Sequence, residues 1–145
     1  MTNLIAEVEI SIKSEVPKVW EALTDPEQVP EYMFGSKVES SWKEGSLIVW
    51  KGNWKGRPFR DKGVIIQMQP GKILQYTHYS PLSGLPDTPE NYHVVTIELS
   101  EKGSGTYVKL TQDNNPDEES KDHSEKNFSI MLEELKKHVE GTIRS

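Results

Sequence analysis

The sequence predicts an α+β protein in which an antiparallel sheet packs against one long helix near the carboxyl end. Apolar and polar residues alternate along much of the chain before residue 115, which is typical of strands with one buried side. After residue 115 the apolar residues recur at helical spacing. Because consecutive strands joined by short turns pair antiparallel, we expect one layer of sheet covered by helix.

The long helix is predicted from about Asn115 to about Gly141, with Asn115 as its N-cap and Pro116 at its first position. It would be about 35–40 Å long, enough to cross a small domain. Ile130 lies off its apolar side, so we expect that residue to be exposed or to lie at a dimer contact. The apolar stripe itself comprises Phe128, Met131, Leu132, Leu135 and Val139.

The elements before the sheet's main part are one strand and two short helices. Residues 4–13 alternate with their apolar side on the even positions, which predicts a half-buried strand. Apolar residues of the segment Val16 to Thr24 share one helical face. A second helix follows it, interrupted by Pro30 and ended by Gly35.

The middle of the chain predicts a meander of six further strands separated by turn residues. Between the fourth and fifth of these, the segment Ser80 to Pro89 contains three prolines and cannot be an interior strand. We expect it to be a long, adaptable loop, able to cover the mouth of a cavity. The six strands are predicted near residues 37–43, 46–53, 58–69, 72–80, 91–100 and 105–113.

Composition limits the classes of function. With 145 residues we expect a single domain, residues 1–145. The chain has no cysteine, so disulfides and thiolate metal sites are excluded. A net charge of −6 argues against a nucleic-acid partner, and no segment predicts a membrane span or signal peptide. We therefore expect a cytoplasmic protein that is a monomer or a weak homodimer.

Signatures of catalysis and of cofactor binding are mostly absent. The sequence has no nucleophile elbow, phosphate-binding loop or dinucleotide glycine pattern. Its four histidines do not have the spacing of a metal site. We therefore expect no cofactor and no metal, and we identify no catalytic residue.

Two histidines nevertheless fall where a functional site could form. Strand alternation directs His78 and His93 toward the helix, at strand ends that flank the proline-rich loop. They are either a polar pair at the mouth of a pocket or two partly buried histidines of an ordinary sheet. His123 and His138 are expected on the surface of the long helix.

Aromatic residues are numerous enough to line an apolar cavity under the helix, although filling the core is the alternative. The candidate cavity residues are Tyr32, Phe34, Trp50, Phe59, Tyr76, His78, His93, Phe128 and Met131.

Several segments together resemble a known family. Residues 19–27 are similar to the N-terminal signature of the AHSA-type proteins, homologues of the heat-shock ATPase activator. Gly63 to Leu74 is similar to that family's central glycine, apolar strand and proline turn. Gly105 to Leu110 resembles its penultimate strand, and the last helix has Phe128 where the family usually has tryptophan.

This family belongs to the START-like (SRPBCC) helix-grip superfamily, which also contains the birch-pollen-allergen type. The resemblance implies a curved seven-stranded antiparallel sheet around the long C-terminal helix, with a cavity between them. It also implies a link to the stress response.

Three functions follow from these observations. The first is binding or carriage of a small apolar or amphipathic molecule in the cavity. The second is a cochaperone-like contact with another protein, although the heat-shock ATPase activators carry a further N-terminal domain for which this chain has no room. The third is an enzyme of the cyclase or hydrolase kind, which would use His78, His93 or a tyrosine as acid–base groups.

Overall fold

A seven-stranded antiparallel sheet curves around one long helix, as the two periodicities of the sequence predicted. The structure, a computed structural model, describes residues 4–54 and 56–141. Along the chain its elements are β1 (Leu4–Ile12), α1 (Val16–Thr24), α2 (Val29–Tyr32), β2 (Lys37–Ser40), β3 (Leu47–Trp54), β4 (Arg57–Gln69), β5 (Ile73–His78), β6 (His93–Lys102), β7 (Gly105–Asn115) and α3 (Glu118–Gly141).

The strands lie in the order β1-β7-β6-β5-β4-β3-β2, and every neighbouring pair is antiparallel. Strands β2 to β7 therefore form the predicted meander, while β1 joins its far side by pairing with β7. The strand β2 ends at Ser40 rather than near residue 43, because Trp42 has a φ of 56° that no strand residue adopts.

The apolar stripe of α3 packs on the concave face of the sheet, as predicted. Each of its four central residues is at most 4% exposed. Ile130, predicted to lie off the stripe, is 43% exposed. The phase of the helix is therefore confirmed, and its central residues are Met131, Leu132, Leu135 and Val139.

The buried part of α3 is confined to its C-terminal half. Between Glu118 and Ile130 no side chain is fully buried, and Phe128 alone among its apolar residues packs partly against the core. Most side chains in the N-terminal half of the helix are polar, and none of them fills the space next to the sheet as the C-terminal stripe does. Room remains under the N-terminal half of the helix.

The predicted cap of α3 is wrong. Asn115 is the last residue of β7 and is buried, and its amide donates to the carbonyl oxygens of Leu4 and Gln112 over 3.0 and 3.1 Å. Asp117 caps the helix instead, since the backbone N–H of Ser120 donates to its Oδ1 over 2.8 Å. This hydrogen bond lowers the pKa of Asp117.

Side chains of α3 also bind the backbone of β1, an edge strand. The N–H of Glu7 donates to Glu125 Oε2 over 3.0 Å, and the N–H of Lys13 donates to Glu140 Oε2 over 2.8 Å. Between them, Lys136 Nζ donates to the carbonyl oxygen of Ser11 over 3.0 Å. The helix therefore satisfies backbone groups that no further strand pairs.

No helix among the described residues is long and apolar enough to cross a membrane.

The proline-rich loop is held in place more firmly than expected. Lys62 forms an ion pair with Asp87, and Tyr92 donates a hydrogen bond to the same carboxylate over 2.5 Å. Tyr79 stacks on Tyr92 and donates to the carbonyl oxygen of Leu85 over 2.7 Å. The loop thus packs on Tyr79, the residue that follows β5.

Gly63 sits at the closest approach of β4 to β5. The pairs Ile65–Tyr76 and Lys62–Tyr79 place Gly63 directly opposite His78. A Cβ atom at this position would lie 1.7 Å from the carbonyl oxygen of Thr77. Only glycine therefore fits, and it leaves the inner face beside His78 free of a side chain.

We expect Leu135→Ala to lower the free energy of unfolding by about 2–5 kcal/mol, because it opens a cavity at a fully buried site. The matched control, Ile130→Ala on the same helix, should change it by less than about 1 kcal/mol. Urea denaturation of both variants measures the difference, and equal losses would contradict the assigned helix phase.

Gly63→Ala should destabilise the protein by about 1–3 kcal/mol or more, because the new methyl group meets backbone that cannot move aside cheaply. Gly141→Ala, where nothing lies within 4 Å of the added Cβ, serves as control and should be neutral or slightly stabilising. Denaturant midpoints of the two variants test the close approach, which a neutral Gly63→Ala would disprove.

Candidate functional site

A pocket of about 260 Å³ lies between the sheet and the middle of α3. It occupies the room left where the apolar stripe of the helix begins. Most of its wall is apolar, formed by Met33, Phe34, Trp50, Phe59, Tyr76, Val95, Phe128 and Met131. Its polar lining comprises Ser36, Asp61, His78 and Asn127.

Seven of the nine residues expected to line a cavity meet at this pocket. They come from the turn after α2, from three neighbouring strands and from α3, namely Phe34, Trp50, Phe59, Tyr76, His78, Phe128 and Met131. Strand alternation had directed His78 toward the helix, and the helical period had placed Phe128 and Met131 on the apolar side of α3.

The other two expected residues lie elsewhere. Tyr32 is 2% exposed in the core, and its hydroxyl donates to the carbonyl oxygen of Ala22 over 2.8 Å. His93 pairs across from His78, but its Nδ1–H donates to the carbonyl oxygen of Asp113 over 2.8 Å. It lines a separate groove near the start of α3, so the two histidines do not share a site.

The other two histidines, His123 and His138, both lie on α3 but differ in exposure. His123 is exposed on α3, as expected. His138 is only partly exposed, since its Nε2 lies 3.0 Å from Gln28 Oε1 and its ring lies 6.5 Å from that of Tyr32. His138 therefore lies at the edge of the helix surface, where Gln28 partly covers it. Among the described residues, no cluster of histidine and carboxylate side chains is suited to a metal ion.

Trp50 holds the aromatic wall of the pocket together. Its ring centroid lies 5.1 Å from those of both Tyr76 and His78, with the histidine ring edge-on. Burial raises the pKa of Tyr76, so this phenol keeps its proton well above neutral pH.

Asp61 is the partner of His78 and was not identified from the sequence. His78 Nε2 donates to Asp61 Oδ2 over 3.0 Å, and the aspartate side chain is only 15% exposed. Asp61 lies between Phe59 and Gly63 on the inward-facing odd positions of β4. A carboxylate at an inward position of a strand was the signal that could have revealed it.

Phe34 lies at the opening of the pocket in an unfavourable conformation. Its φ is 56°, a left-handed value that is uncommon for a bulky side chain, and the residue is 65% exposed. Such strain is found where surrounding structure or function holds a residue in place. The described side chains of the proline-rich loop do not line this pocket.

We expect the free energy of unfolding to fall as pH rises above about 10, where an unfolded tyrosine ionises but buried Tyr76 does not. The unfolded state then binds fewer protons than the folded state, so alkali favours unfolding. Tyr76→Phe should make this fall shallower by up to about 1.4 kcal/mol per pH unit. Urea titrations between about pH 9 and pH 11 measure it, and parallel slopes would exclude this origin.

Three solved structures show the similarity of this chain to known proteins. A protein of Cytophaga hutchinsonii, solved in solution, is 55% identical over all of both chains, with a TM-score of 0.86. A Mesorhizobium loti protein is 22% identical over 96% of this chain and 98% of its own, with a TM-score of 0.80. The Aha1 dimer of Colwellia psychrerythraea is 19% identical over 94% and 96%, with a TM-score of 0.74.

The two more distant structures show a shared fold, and the expected helix-grip architecture is confirmed. None of the curated proteins compared with this sequence matches it. The family described as activator of Hsp90 ATPase homolog 1-like protein matches residues 13–140. That match covers most of the chain, from before α1 to the last turn of α3, and the chain therefore belongs to the activator of Hsp90 ATPase homolog 1-like family.

Proposed function

We propose that this protein binds a small, largely apolar molecule in the pocket between the sheet and the middle of α3. The observation that carries the proposal is an apolar hollow of about 260 Å³ with a single hydrogen-bonded polar pair, Asp61 and His78, in its lining. Ligand sites typically combine apolar walls with a few placed polar groups.

The walls would supply most of the affinity. Burial of apolar surface contributes about 25 cal/mol per Å², before the costs of association. Sites for drug-sized ligands typically have volumes of about 300–1,000 Å³. This pocket is slightly smaller, so we expect a small ligand.

Phe34 gives independent support. Its ring is largely exposed at the opening, and its left-handed backbone costs about 1–2 kcal/mol. A ligand in the pocket would cover part of this ring and recover apolar surface that the free protein leaves in water.

The test is to block the pocket from its rim. Asn127 is exposed on α3 and lines the pocket, so Asn127→Trp would place an indole in the opening without disturbing the core. Glu133→Trp adds the same side chain to an exposed position of α3 that does not line the pocket. It is the matched control.

We expect n-butylbenzene, followed by NMR of the Val95 and Met131 methyl groups, to bind the wild type and Glu133→Trp alike. Asn127→Trp should weaken binding by at least about tenfold, because the indole and the ligand cannot share the space. Urea denaturation checks that both variants fold. Equal binding by the two tryptophan variants, or no methyl shift in the wild type, would overturn the proposal.

A protein-binding function is the second candidate, favoured by an exposed apolar cluster on the outer face of the sheet. Leu47 and Val64 lie directly opposite each other on β3 and β4, and Ile66 follows on the same strand. Exposed apolar clusters often mark contact surfaces. The blocking experiment separates the candidates, since Asn127→Trp alters the pocket and leaves this outer face unchanged.

A further inference from the structure

The polar pair of the pocket has an unsatisfied acceptor. Asp61 Oδ2 receives the Nε2–H of His78, but Asp61 Oδ1 is fully buried and accepts no hydrogen bond from the described residues. A buried carboxylate oxygen without a donor is costly, and native structures contain few such atoms. Asp61, a residue of the pocket lining, therefore has a carboxylate that receives fewer hydrogen bonds from the described residues than it can accept.

The hydrogen bond of the pair shows which atom donates. A carboxylate oxygen that takes part in a hydrogen bond with a ring nitrogen accepts, so the Nε2–H of His78 donates to Asp61 Oδ2. The carboxylate can accept further hydrogen bonds, so it favours a ligand that donates.

The charges of the residues that line the pocket also favour a ligand that donates hydrogen bonds. Of the described residues that line the pocket, none is lysine or arginine, and Asp61 is the one acid. The neighbouring bases of β4, Arg60 and Lys62, occupy the alternate positions of the strand, and Lys62 is paired with Asp87. Among the residues that the structure describes, no lysine or arginine pairs with the Asp61 carboxylate.

We propose that the pocket selects a small hydrophobic amine, held by its apolar skeleton against the aromatic wall and by its ammonium group at the Asp61 carboxylate. This inference rests on the proposed binding function. An ammonium group donates up to three hydrogen bonds and neutralises the carboxylate, and hydrogen bonds between charged partners are about twice as strong as neutral ones. A carboxylic acid of the same skeleton would bring a second negative charge to a site without a cation, which is unfavourable.

The experiment uses four probes with one phenylbutyl skeleton: 4-phenylbutylamine, 4-phenylbutan-1-ol, 4-phenylbutanoate and n-butylbenzene. Titration calorimetry at pH 7 measures each against the wild type. We expect the amine to bind most tightly and the butanoate most weakly, with at least about a tenfold difference between them. The alcohol, a neutral donor, should fall between.

Asp61→Asn then tests the residue. The amide has the same shape without the charge, so affinity for the amine should fall by at least about tenfold, while that for n-butylbenzene should stay within about twofold. Asp122→Asn on the exposed face of α3 lowers the negative charge of the protein equally and is the control for nonspecific attraction. It should leave the preference for the amine intact.

The outcomes distinguish the two proposals. If n-butylbenzene binds but the amine and the butanoate bind equally, or if Asp61→Asn keeps the preference for the amine, the selection of amines is wrong and the binding function stands. If Asp122→Asn reduces amine binding as much as Asp61→Asn, the preference comes from overall charge and the inference is also overturned. If none of the four probes binds, both proposals fail.

Discussion

The packing of one apolar stripe of α3 on a concave sheet is the interaction on which the rest of this structure depends. The stripe is fully buried only from Met131 to Val139, so the helix is held close to the sheet along its C-terminal half. The curvature of the sheet continues beyond that half. Where apolar side chains no longer fill the space, the pocket opens, and its position follows from where the stripe begins.

The fold could be predicted from the sequence because its signals are local and repeated. The even positions of β1 and the spacing from Phe128 to Val139 each indicate which side is buried, whatever the rest of the chain does. Boundaries were harder. Asn115 and Asp117 are both good capping residues, and the choice between them depends on Leu4, which pairs with Asn115 across the sheet from the far end of the chain.

The candidate site was predicted less completely, for a related reason. Periodicity states which face a side chain occupies but not which neighbour it meets. His78 and His93 lie opposite each other on β5 and β6, yet they line different hollows. The contact of His78 with Asp61 is a diagonal one across two strands, and it requires the register that Gly63 permits. Family membership describes the fold shared by such chains and leaves the chemistry of the pocket to residues like these.

The hydrogen bonds between α3 and the backbone of β1 and Lys13, in which Glu125 and Glu140 accept and Lys136 donates, also affect how this protein would aggregate on partial unfolding. An edge strand with free N–H and carbonyl groups is a template for further strands, and aggregates grow from such edges. The opposite edge strand, β2, has only four residues, so it offers few backbone groups with which a further strand could pair. Partial unfolding that lifts α3 from the sheet would therefore expose both the apolar core and the long edge at once, so the helix also protects the chain from fibrillar self-association.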